Sequence, residues 1–345
     1  MTVPSLSRRT LLGAALGTTV AYATPVRAQA FNAPGALLDA AKKEGKMTYY
    51  TASFTEVEQE VIAAFNKRFP FVRVDMVRAS GGQLIPRIKT ELAAGKLVAD
   101  VLAHSDRGLM NEIEPIFADY APPNGADYIA DVLISPKLWP RITPGWSIAC
   151  NSELMKNPPK TWWDLCKPEY AGKLGQVIGP SGGTTWTRIM FERQALAEDY
   201  WQKQSATKPA LYPSGAPLSD AVVRGEVLAA PLIYNAIFPK KKDGAPVEIF
   251  FPPEGVPIVP YGTGIAKTAP NPNAAKLFLD WCLSAEGQAF TIKEQGNLTS
   301  LKVPPFLPEG FDPKTAKVWV PKFDQFVSLR DKWLEEWNTV YGYRQ

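Results

Sequence analysis

Three strand-like segments alternate with helical segments in the first third of this 345-residue chain. Residues 46–51, 71–77 and 98–103 read as strands, and each is followed by apolar residues at helical spacing. Ser53, with Glu56 three residues later, matches a capping box at the start of the first helix. Strands and helices that alternate in this way predict an α/β fold with a mostly parallel sheet flanked by helices on both faces.

Two proline-rich stretches divide the rest of the chain. Prolines punctuate residues 135–145 before a short extended piece at 146–149, and a second stretch at 252–260 leads into residues 261–264. We interpret these stretches as two crossings between lobes, because 315 residues suit two lobes better than one. The predicted lobes are 31–144 plus 262–345 for lobe 1 and 145–261 for lobe 2.

Residues 322–341 are predicted to form one C-terminal helix. Phe326, Leu329, Trp333 and Trp337 form a single apolar stripe along it, which is typical of core packing and does not indicate a cofactor site. We expect this helix to pack back on lobe 1.

The first thirty residues have the organisation of an export signal. Arg8 and Arg9 stand directly before an uncharged stretch at 11–23, and residues 28–30 (Ala-Gln-Ala) form a small-x-small peptidase site. The uncharged stretch is shorter than the roughly 20 apolar residues that a membrane-spanning helix needs. Because the arginine pair resembles a twin-arginine signal, we expect export to the periplasm and cleavage after Ala30.

The charge balance and the rare residue types argue against several classes of function. The chain has 38 Lys and Arg against 34 Asp and Glu, and the signal holds three arginines and no acid, so 35 basic residues face 34 acidic ones after cleavage. This balance gives no reason to expect nucleic acid or an anionic membrane as a partner. His104 is the one histidine, and Cys150, Cys166 and Cys282 lack the spacing of a zinc site or a redox pair. We therefore expect buried free thiols and neither a resident metal nor a cofactor.

Polar segments at the predicted strand ends form the candidate binding site. In open α/β sheets, ligands sit beyond the carboxyl ends of the strands, where helix N-termini point inward. Residues 181–185 (Ser-Gly-Gly-Thr-Thr) combine hydroxyls, flexible backbone and a following helix, so main-chain N–H groups can converge on an anion without side-chain cations. Residues 80–82 offer the same arrangement from the other lobe. The predicted ligand-binding residues are Thr51, Ser53, Ser80, Gly81, Ser105, Asp106, Ser181, Gly182, Gly183, Thr184, Thr185, Tyr234 and Tyr261.

Several of these residues also fit structural roles. A Ser-Gly turn before a helix is most often a cap or a helix stop. Thr51, Ser53 and Asp106 are N-cap candidates, and Asp106 could instead hold a ligand ammonium. His104, at a strand end, fits either a ligand contact or a hydrogen-bonded structural position.

Six segments occur in an order and spacing typical of a known family. They are 44–51 (Glu-Gly-Lys-Met-Thr-Tyr-Tyr-Thr), 65–70 (Phe-Asn-Lys-Arg-Phe-Pro), 99–102 (Ala-Asp-Val-Leu), 161–165 (Thr-Trp-Trp-Asp-Leu), 270–275 (Pro-Asn-Pro-Asn-Ala-Ala) and 284–288 (Ser-Ala-Glu-Gly-Gln). Together they resemble family 1 of the extracellular solute-binding proteins of bacterial ABC importers, the branch with ferric-iron, phosphonate and sugar-phosphate binders. The resemblance implies a two-lobe type 2 periplasmic-binding-protein fold, with two crossover strands and a ligand held between the lobes. It also implies that residues 181–185 bind a phosphate-like or carbonate-like oxyanion.

Tyr234 bears on the choice between two kinds of ligand. Ferric-iron relatives typically use two adjacent tyrosines at the end of this strand, whereas this chain has Tyr234 followed by Asn235. Tyr49 and Tyr50 lie within a strand, so their side chains point to opposite faces and cannot replace that pair. We therefore place ferric iron second. With Asn235, Trp186 and Tyr261, the predicted cleft is polar with aromatic walls and suits a phosphonate, a phosphate ester or a carboxylate, or a zwitterion if Asp106 holds an amine.

These observations predict the periplasmic substrate-binding component of an ABC importer. It would close on a small anionic solute by a hinge motion and dock as a monomer on a membrane permease. A ferric-iron-binding protein is the second interpretation, followed by a ligand-sensing subunit of a signalling receptor. An exported hydrolase ranks last, because no catalytic motif is present and activity would depend on His104 or a carboxylate pair.

Overall fold

The computed structural model describes residues 18–20, 29–79 and 81–344. The twin-arginine motif at Arg8 and Arg9 and the predicted ligand residue Ser80 therefore lie outside the described residues. Within the predicted signal, a short strand β1 (Thr18–Val20) pairs antiparallel with β13 (Val318–Val320). Cleavage after Ala30 would remove this strand from the edge of its sheet.

The described residues form helices and strands that alternate along most of the chain. The helices are α1 (Gly35–Glu44), α2 (Thr55–Arg68), α3 (Gly81–Ala93), α4 (Arg107–Glu112), α5 (Gly183–Ala195), α6 (Tyr200–Ser205), α7 (Gly215–Arg224), α8 (Tyr234–Lys242), α9 (Pro272–Leu283), α10 (Ala285–Gln295), α11 (Phe323–Ser328) and α12 (Arg330–Tyr341). The other strands are β2 (Lys46–Thr51), β3 (Arg73–Arg78), β4 (Val101–His104), β5 (Trp139–Pro140), β6 (Trp146–Asn151), β7 (Gly175–Val177), β8 (Ala210–Tyr212), β9 (Ala229–Ile233), β10 (Val247–Phe250), β11 (Val256–Pro257) and β12 (Gly262–Ile265).

Local sequence signals explain where α1 ends, but they do not predict correctly how α2 begins. α1 ends at Gly45, whose φ of 68° favours glycine, and lysines occupy its last turn. The capping box predicted from Ser53 and Glu56 is wrong, because α2 begins only at Thr55 and its N-cap Phe54 supplies no side-chain cap. Instead, the Ser53 N–H donates to the Thr51 hydroxyl at 3.1 Å, so Ser53 belongs to the turn before the helix.

The first sheet brings the ends of three predicted strands together. Its order is β3-β2-β4-β12-β5, and β2 runs parallel to both β3 and β4. Thr51, the last residue of β2, lies opposite Arg78 on one side and Ala103 on the other. The carboxyl ends of β2, β3 and β4 therefore meet at one edge of this sheet, as the sequence predicts.

The second sheet has less parallel pairing than expected. Its order is β10-β6-β9, and β6 runs antiparallel to both neighbours. Parallel pairing appears between β7 and β8, in a separate two-stranded sheet. The difference arises because β6 enters from the first sheet as a crossover strand, and the sequence pattern does not specify the direction in which it inserts.

Two chain segments pass between the sheets and lie side by side. The Val259 N–H donates to the Pro144 carbonyl at 2.8 Å, and the Tyr261 N–H donates to the Ile142 carbonyl at 2.9 Å. β12 then joins the first sheet, antiparallel to β4. These paired segments stand where the two proline-rich crossovers are predicted.

Separate hydrophobic clusters cover the faces of the first sheet. Tyr49 packs in one cluster with Phe65 and Phe278, whereas Tyr50 packs in another with Leu84 and Ile88. The two tyrosines thus point to opposite faces, as the strand geometry predicts.

The predicted packing of the C-terminal segment on lobe 1 holds for α11, which contacts α4, and fails for α12. The segment forms two helices, α11 and α12, separated at Leu329. Trp337 is buried in a cluster with Trp186 and Trp201, so α12 packs against α5 and α6 instead of lobe 1. The Trp186 indole N–H also donates to the Phe326 carbonyl at 2.7 Å. Burial of aromatic side chains against α5 and α6 stabilises this position of α12, whereas the sequence prediction followed only the order of elements along the chain.

The three cysteines are free in the structure, with Cys150 and Cys282 buried and Cys166 half-buried. Burial raises the pKa of the Cys150 thiol to about 11 and that of Cys282 to about 12. Across residues 18–20, 29–79 and 81–344, no helix is long and apolar enough to cross a membrane.

Candidate functional site

A cavity of about 270 Å³ lies between the carboxyl edge of the first sheet and the starts of α5 and α7, the helices that come after β7 and β8. The first wall of this cavity is formed by Ala52, Phe54, Arg78, His104, Ser105, Asp106 and Leu109. The second wall is formed by Trp146, Val177, residues 180–185, Ser214, Gly215, Leu232 and Ile233. Tyr261 and Arg330 complete the lining from the crossover and the C-terminal helices.

The second wall presents the beginnings of two helices to the cavity. α5 begins at Gly183 after Gly182, whose φ of 146° lies in a region that favours glycine, and no side chain caps its first turn. α7 begins at Gly215 after Ser214, again without a side-chain cap. The first N–H groups of a helix have no partner within the helix, so both helix ends can donate to an anion in the cavity.

The hydroxyls of the second wall divide into two groups. The Ser181 hydroxyl donates to the Pro213 carbonyl at 2.9 Å, so it holds the loop that precedes α7. Thr184 and Thr185 line the cavity, and their hydroxyls make no hydrogen bond within the described part of the chain. These two hydroxyls are therefore better placed than that of Ser181 to contact a ligand directly.

Asp106 on the first wall is committed to structural contacts. Its carboxylate accepts hydrogen bonds from the Gly108 and Leu109 N–H groups, both at 3.1 Å, and so caps α4. The other carboxylate oxygen forms an ion pair with Arg330. The N-cap interpretation of Asp106 is confirmed, and both of its carboxylate oxygens have partners within the described residues.

His104, Ser105 and Tyr261 form the base of the first wall. The His104 Nδ1 accepts from the Asp106 N–H at 2.8 Å, so this histidine has a structural hydrogen bond and also lines the cavity. Burial raises the pKa of the Tyr261 phenol to about 12, against an opposing hydrogen bond with Ser105. Tyr261 therefore stays protonated at neutral pH and can donate a hydrogen bond.

Arg78 is a cationic lining residue that the sequence analysis missed. It ends β3, its Nε–H donates to the Ser53 carbonyl at 3.2 Å, and its side chain reaches the cavity. Arg330 is a second missed cation, but its charge is balanced by Asp106. The cavity thus carries one excess positive charge from its arginines and Asp106, in addition to the main-chain donors of the second wall.

The two walls come into direct contact at Gly183. A Cβ added there would lie 2.8 Å from the Asp106 Cα and 2.9 Å from the Ser105 carbonyl oxygen. Those distances are shorter than any relaxed contact, and the atoms concerned are backbone atoms that cannot move aside as a side chain would. Only glycine allows the helix start of the second wall to approach the first wall this closely.

Several predicted site residues lie away from the cavity. Thr51 is buried behind the first wall, where its hydroxyl donates to Glu58 at 3.2 Å. Tyr234 packs with Phe238 and Phe251, and its hydroxyl donates to the Glu309 carbonyl at 3.3 Å. The other residues that the structure does not bring to the lining are Ser53, Trp186 and Asn235.

Sequence signals could have identified some of the lining residues that the sequence analysis did not predict, but not all of them. Arg78 immediately follows the segment predicted as the second strand, so the strand-end rule extends to it. Ser214 and Gly215 precede the apolar positions Leu218 and Val222, and the serine–glycine signal used at residues 181–185 applies to them as well. Arg330 reaches the cavity through packing between distant segments, which local sequence does not encode.

The chemistry of the cavity is that of binding and not of bond breaking. Its donors are main-chain N–H groups, threonine hydroxyls, a protonated phenol and a guanidinium. Such donors stabilise an oxyanion by charge-assisted hydrogen bonds. Within residues 18–20, 29–79 and 81–344, no cluster of three or more His, Cys, Asp and Glu side chains is arranged to hold a metal ion.

Residues 51–289 match the family of bacterial extracellular solute-binding proteins, and the chain belongs to this family. The family consists of binding proteins and not of enzymes, in agreement with the sequence prediction. A protein of Haemophilus influenzae without an assigned function is 31% identical over 53% of this chain and 56% of its own length. The iron uptake protein A1 of Synechocystis is 24% identical over 84% of this chain and 85% of its own length.

A solved structure confirms the fold. The periplasmic binding protein AfuA of Actinobacillus pleuropneumoniae, solved with fructose-6-phosphate bound, has a TM-score of 0.69 and 22% identity. The match covers 87% of this chain and 99% of that protein. The type 2 periplasmic-binding-protein fold predicted from sequence is therefore the fold of this chain.

Proposed function

We propose that this protein is the exported substrate-binding component of an ABC importer and that its ligand is a small organic anion. One observation carries the proposal: α5 and α7 both begin at the lining of a single cavity, and neither has a side-chain cap. Uncapped helix starts supply convergent N–H donors and the positive ends of helix dipoles. The excess positive charge of Arg78 adds to them.

The ligand is held by closure of two lobes, residues 31–144 with 262–321 against residues 145–261. The C-terminal helices contact both lobes, α11 at α4 and α12 at α5 and α6. A ligand that contacts both walls favours the closed state by its differential contacts. The paired crossover segments near Pro144 and Val259 take up the bend. The close approach of Gly183 to Ser105 and Asp106 defines the closed arrangement.

The permease of an importer is the proposed partner, and the binding protein docks on it as a monomer. Export follows from the predicted signal. The Phe31 N–H donates to Glu286 at 2.8 Å, so cleavage after Ala30 would place a new α-ammonium beside this carboxylate. Intact mass of protein recovered from the periplasm should correspond to a chain that starts at Phe31, and a different start would overturn this cleavage site.

Ferric iron is the second candidate, because a Synechocystis relative is named an iron uptake protein. Fe³⁺ prefers hard oxygen ligands such as phenolate and carboxylate. In this structure Tyr234 packs among phenylalanines, and the Asp106 carboxylate is held by Arg330. Among the described lining residues, Tyr261 is the tyrosine that could bind iron as a phenolate. Burial raises the pKa of its phenol and so opposes formation of that phenolate. The geometry therefore favours the organic anion.

A thermal-shift screen tests the proposal. The screen compares phosphate esters, phosphonates, carboxylates, neutral sugars and Fe³⁺ at equal concentration. Titration calorimetry then measures the affinity of each compound that raises the melting temperature. We expect stabilisation by one or more organic anions and none by neutral sugars. Stabilisation by Fe³⁺ alone would replace the proposal with the iron alternative.

A further inference from the structure

Arg78 differs from two other arginines, one in the core and one at the cavity lining. Arg141 is fully buried and paired with Glu58, and Arg330 is paired with Asp106. Arg78 has no carboxylate within 4.0 Å among residues 18–20, 29–79 and 81–344. Its guanidinium, which is exposed to solvent, therefore stands at the cavity lining without a carboxylate partner.

The backbone of β3 and one hydrogen bond fix the position of this guanidinium. Arg78 pairs with Thr51 in the parallel ladder between β3 and β2. Its Nε–H donates to the Ser53 carbonyl at 3.2 Å, so both Nη groups remain to bind a ligand. The planar fork of an arginine suits a carboxylate, which can accept two parallel hydrogen bonds.

Arg78 and the start of α5 belong to opposite walls of the same cavity. The charge of Arg78 also acts on the Tyr261 phenol, whose pKa it lowers against the effect of burial, so the guanidinium lies within electrostatic range of the cavity base. The α5 start and Arg78 would therefore approach the ligand from two sides. A ligand with a second anionic group would supply a partner for Arg78 when the lobes close.

We propose that the ligand carries two separated anionic groups, a phosphate or phosphonate held at the α5 start and a carboxylate held by Arg78. This inference rests on the proposed anion-binding function and specifies its ligand class. The cavity of about 270 Å³ restricts the ligand to a few carbon atoms between the two groups. Arg78 is then the residue that distinguishes such acids from simple phosphate esters.

Two matched ligand pairs test the proposal by titration calorimetry. The first pair is 3-phosphoglycerate and glycerol 3-phosphate, which differ by a carboxylate in place of a hydroxymethyl group. The second is phosphonoacetate and ethylphosphonate. We expect wild-type protein to bind at least one carboxylate-bearing member about 10- to 100-fold more tightly than its partner, since charge-assisted hydrogen bonds have this strength.

Arg78→Gln should abolish the preference for the carboxylate. The carboxylate-bearing ligand should lose about 10- to 100-fold in affinity, whereas the carboxylate-free ligand loses only the weaker long-range attraction of the charge. Arg73→Gln is the matched control, because Arg73 lies on the same strand and pairs with Asp75 at the surface. The control removes the same charge without touching the cavity and should keep the preference. Melting temperatures of both variants report whether either change disturbs the fold.

The outcomes separate the inference from the function on which it rests. A preference that persists in Arg78→Gln, or an equal loss of affinity for both members of a pair, overturns the role of Arg78. Binding of the carboxylate-free ligands with no gain from the carboxylate overturns the inference alone. If no anion of either pair or of the screening panel binds, both the inference and the proposed function fail.

Discussion

The two walls of the cavity present positive potential by different means. The second wall has no ionised side chain among its described lining residues and relies on the starts of α5 and α7. The first wall carries the guanidinium of Arg78 and the Asp106–Arg330 ion pair. Among the described lining residues, the expected arrangement of main-chain donors without side-chain cations is therefore found on the second wall.

This difference suggests that the second wall supplies affinity for an oxyanion and that the first wall supplies selectivity for the rest of the ligand. Main-chain donors at a helix start are fixed by the fold, so they can bind any oxyanion of suitable size without reorganisation. Side-chain cations can be replaced without changing the backbone, so the first wall can vary with the rest of the ligand.

Gly183→Ala should have the largest effect, because its Cβ would collide with the backbone of Ser105 and Asp106 and hold the walls apart. We expect anion affinity to fall by about 100-fold or more, since closure would require displacement of main chain. Titration calorimetry measures the loss, and small-angle scattering should show no compaction with ligand. Gly35→Ala is the control, because Gly35 also begins a helix and has no atom within 4 Å of its added Cβ. Wild-type affinity in Gly183→Ala would remove the contact between walls from the mechanism.

Thr185→Val should weaken anion binding by about tenfold, the effect of one hydrogen bond to a charged ligand. Thr185 lines the cavity, and its hydroxyl has no partner within residues 29–79 and 81–344. Thr187→Val on the same helix is the control, because that hydroxyl already donates to the Gly183 carbonyl at 2.9 Å. Equal affinities in the two variants would show that the second wall binds through N–H groups alone.

Asp106→Asn should strengthen anion binding by about three- to tenfold at low ionic strength. Asparagine can still accept from the Gly108 and Leu109 N–H groups, but the charge of Arg330 would no longer be balanced. The gain should disappear when binding is measured in high salt. A fall in affinity would mean instead that the ion pair maintains the shape of the first wall.

Asp280→Asn should change stability without changing binding, because Asp280 lies outside the cavity lining. Burial raises the pKa of this carboxyl to about 6, and the Tyr120 hydroxyl donates to it at 2.8 Å. The native state then binds the proton more tightly than the unfolded state, so stability falls as pH rises from about 4 to 6. The variant should lack this slope and gain about 1–2 kcal/mol at pH 7 in urea unfolding. An unchanged pH dependence would contradict the raised pKa.

Local periodicity accounts for the parts of the fold that the sequence predicts. Residues 46–51 have the predicted bounds, and the parallel arrangement of β2, β3 and β4 follows from alternation of strands and helices. The cavity position follows from the same pattern, because strand ends meet at one sheet edge. Residues 181–185 reach the cavity for this reason.

Long-range packing accounts for what the sequence does not predict. Tyr234 is the first residue of α8, so its side chain follows the helix and packs among phenylalanines instead of continuing the strand into the cavity. Arg330 reaches Asp106 only because α12 packs on α5 and α6, which local periodicity does not determine. Both outcomes depend on how aromatic surfaces from distant segments fit together.

A crystal structure with the most tightly bound anion of the screen tests the central claim most directly. The account predicts one oxyanion group within hydrogen-bond distance of the Gly183, Thr184 and Thr185 N–H groups, with Arg78 facing the same ligand from the opposite wall. A ligand bound outside this cavity, or a cavity filled by a neutral solute or a ferric ion, would contradict it.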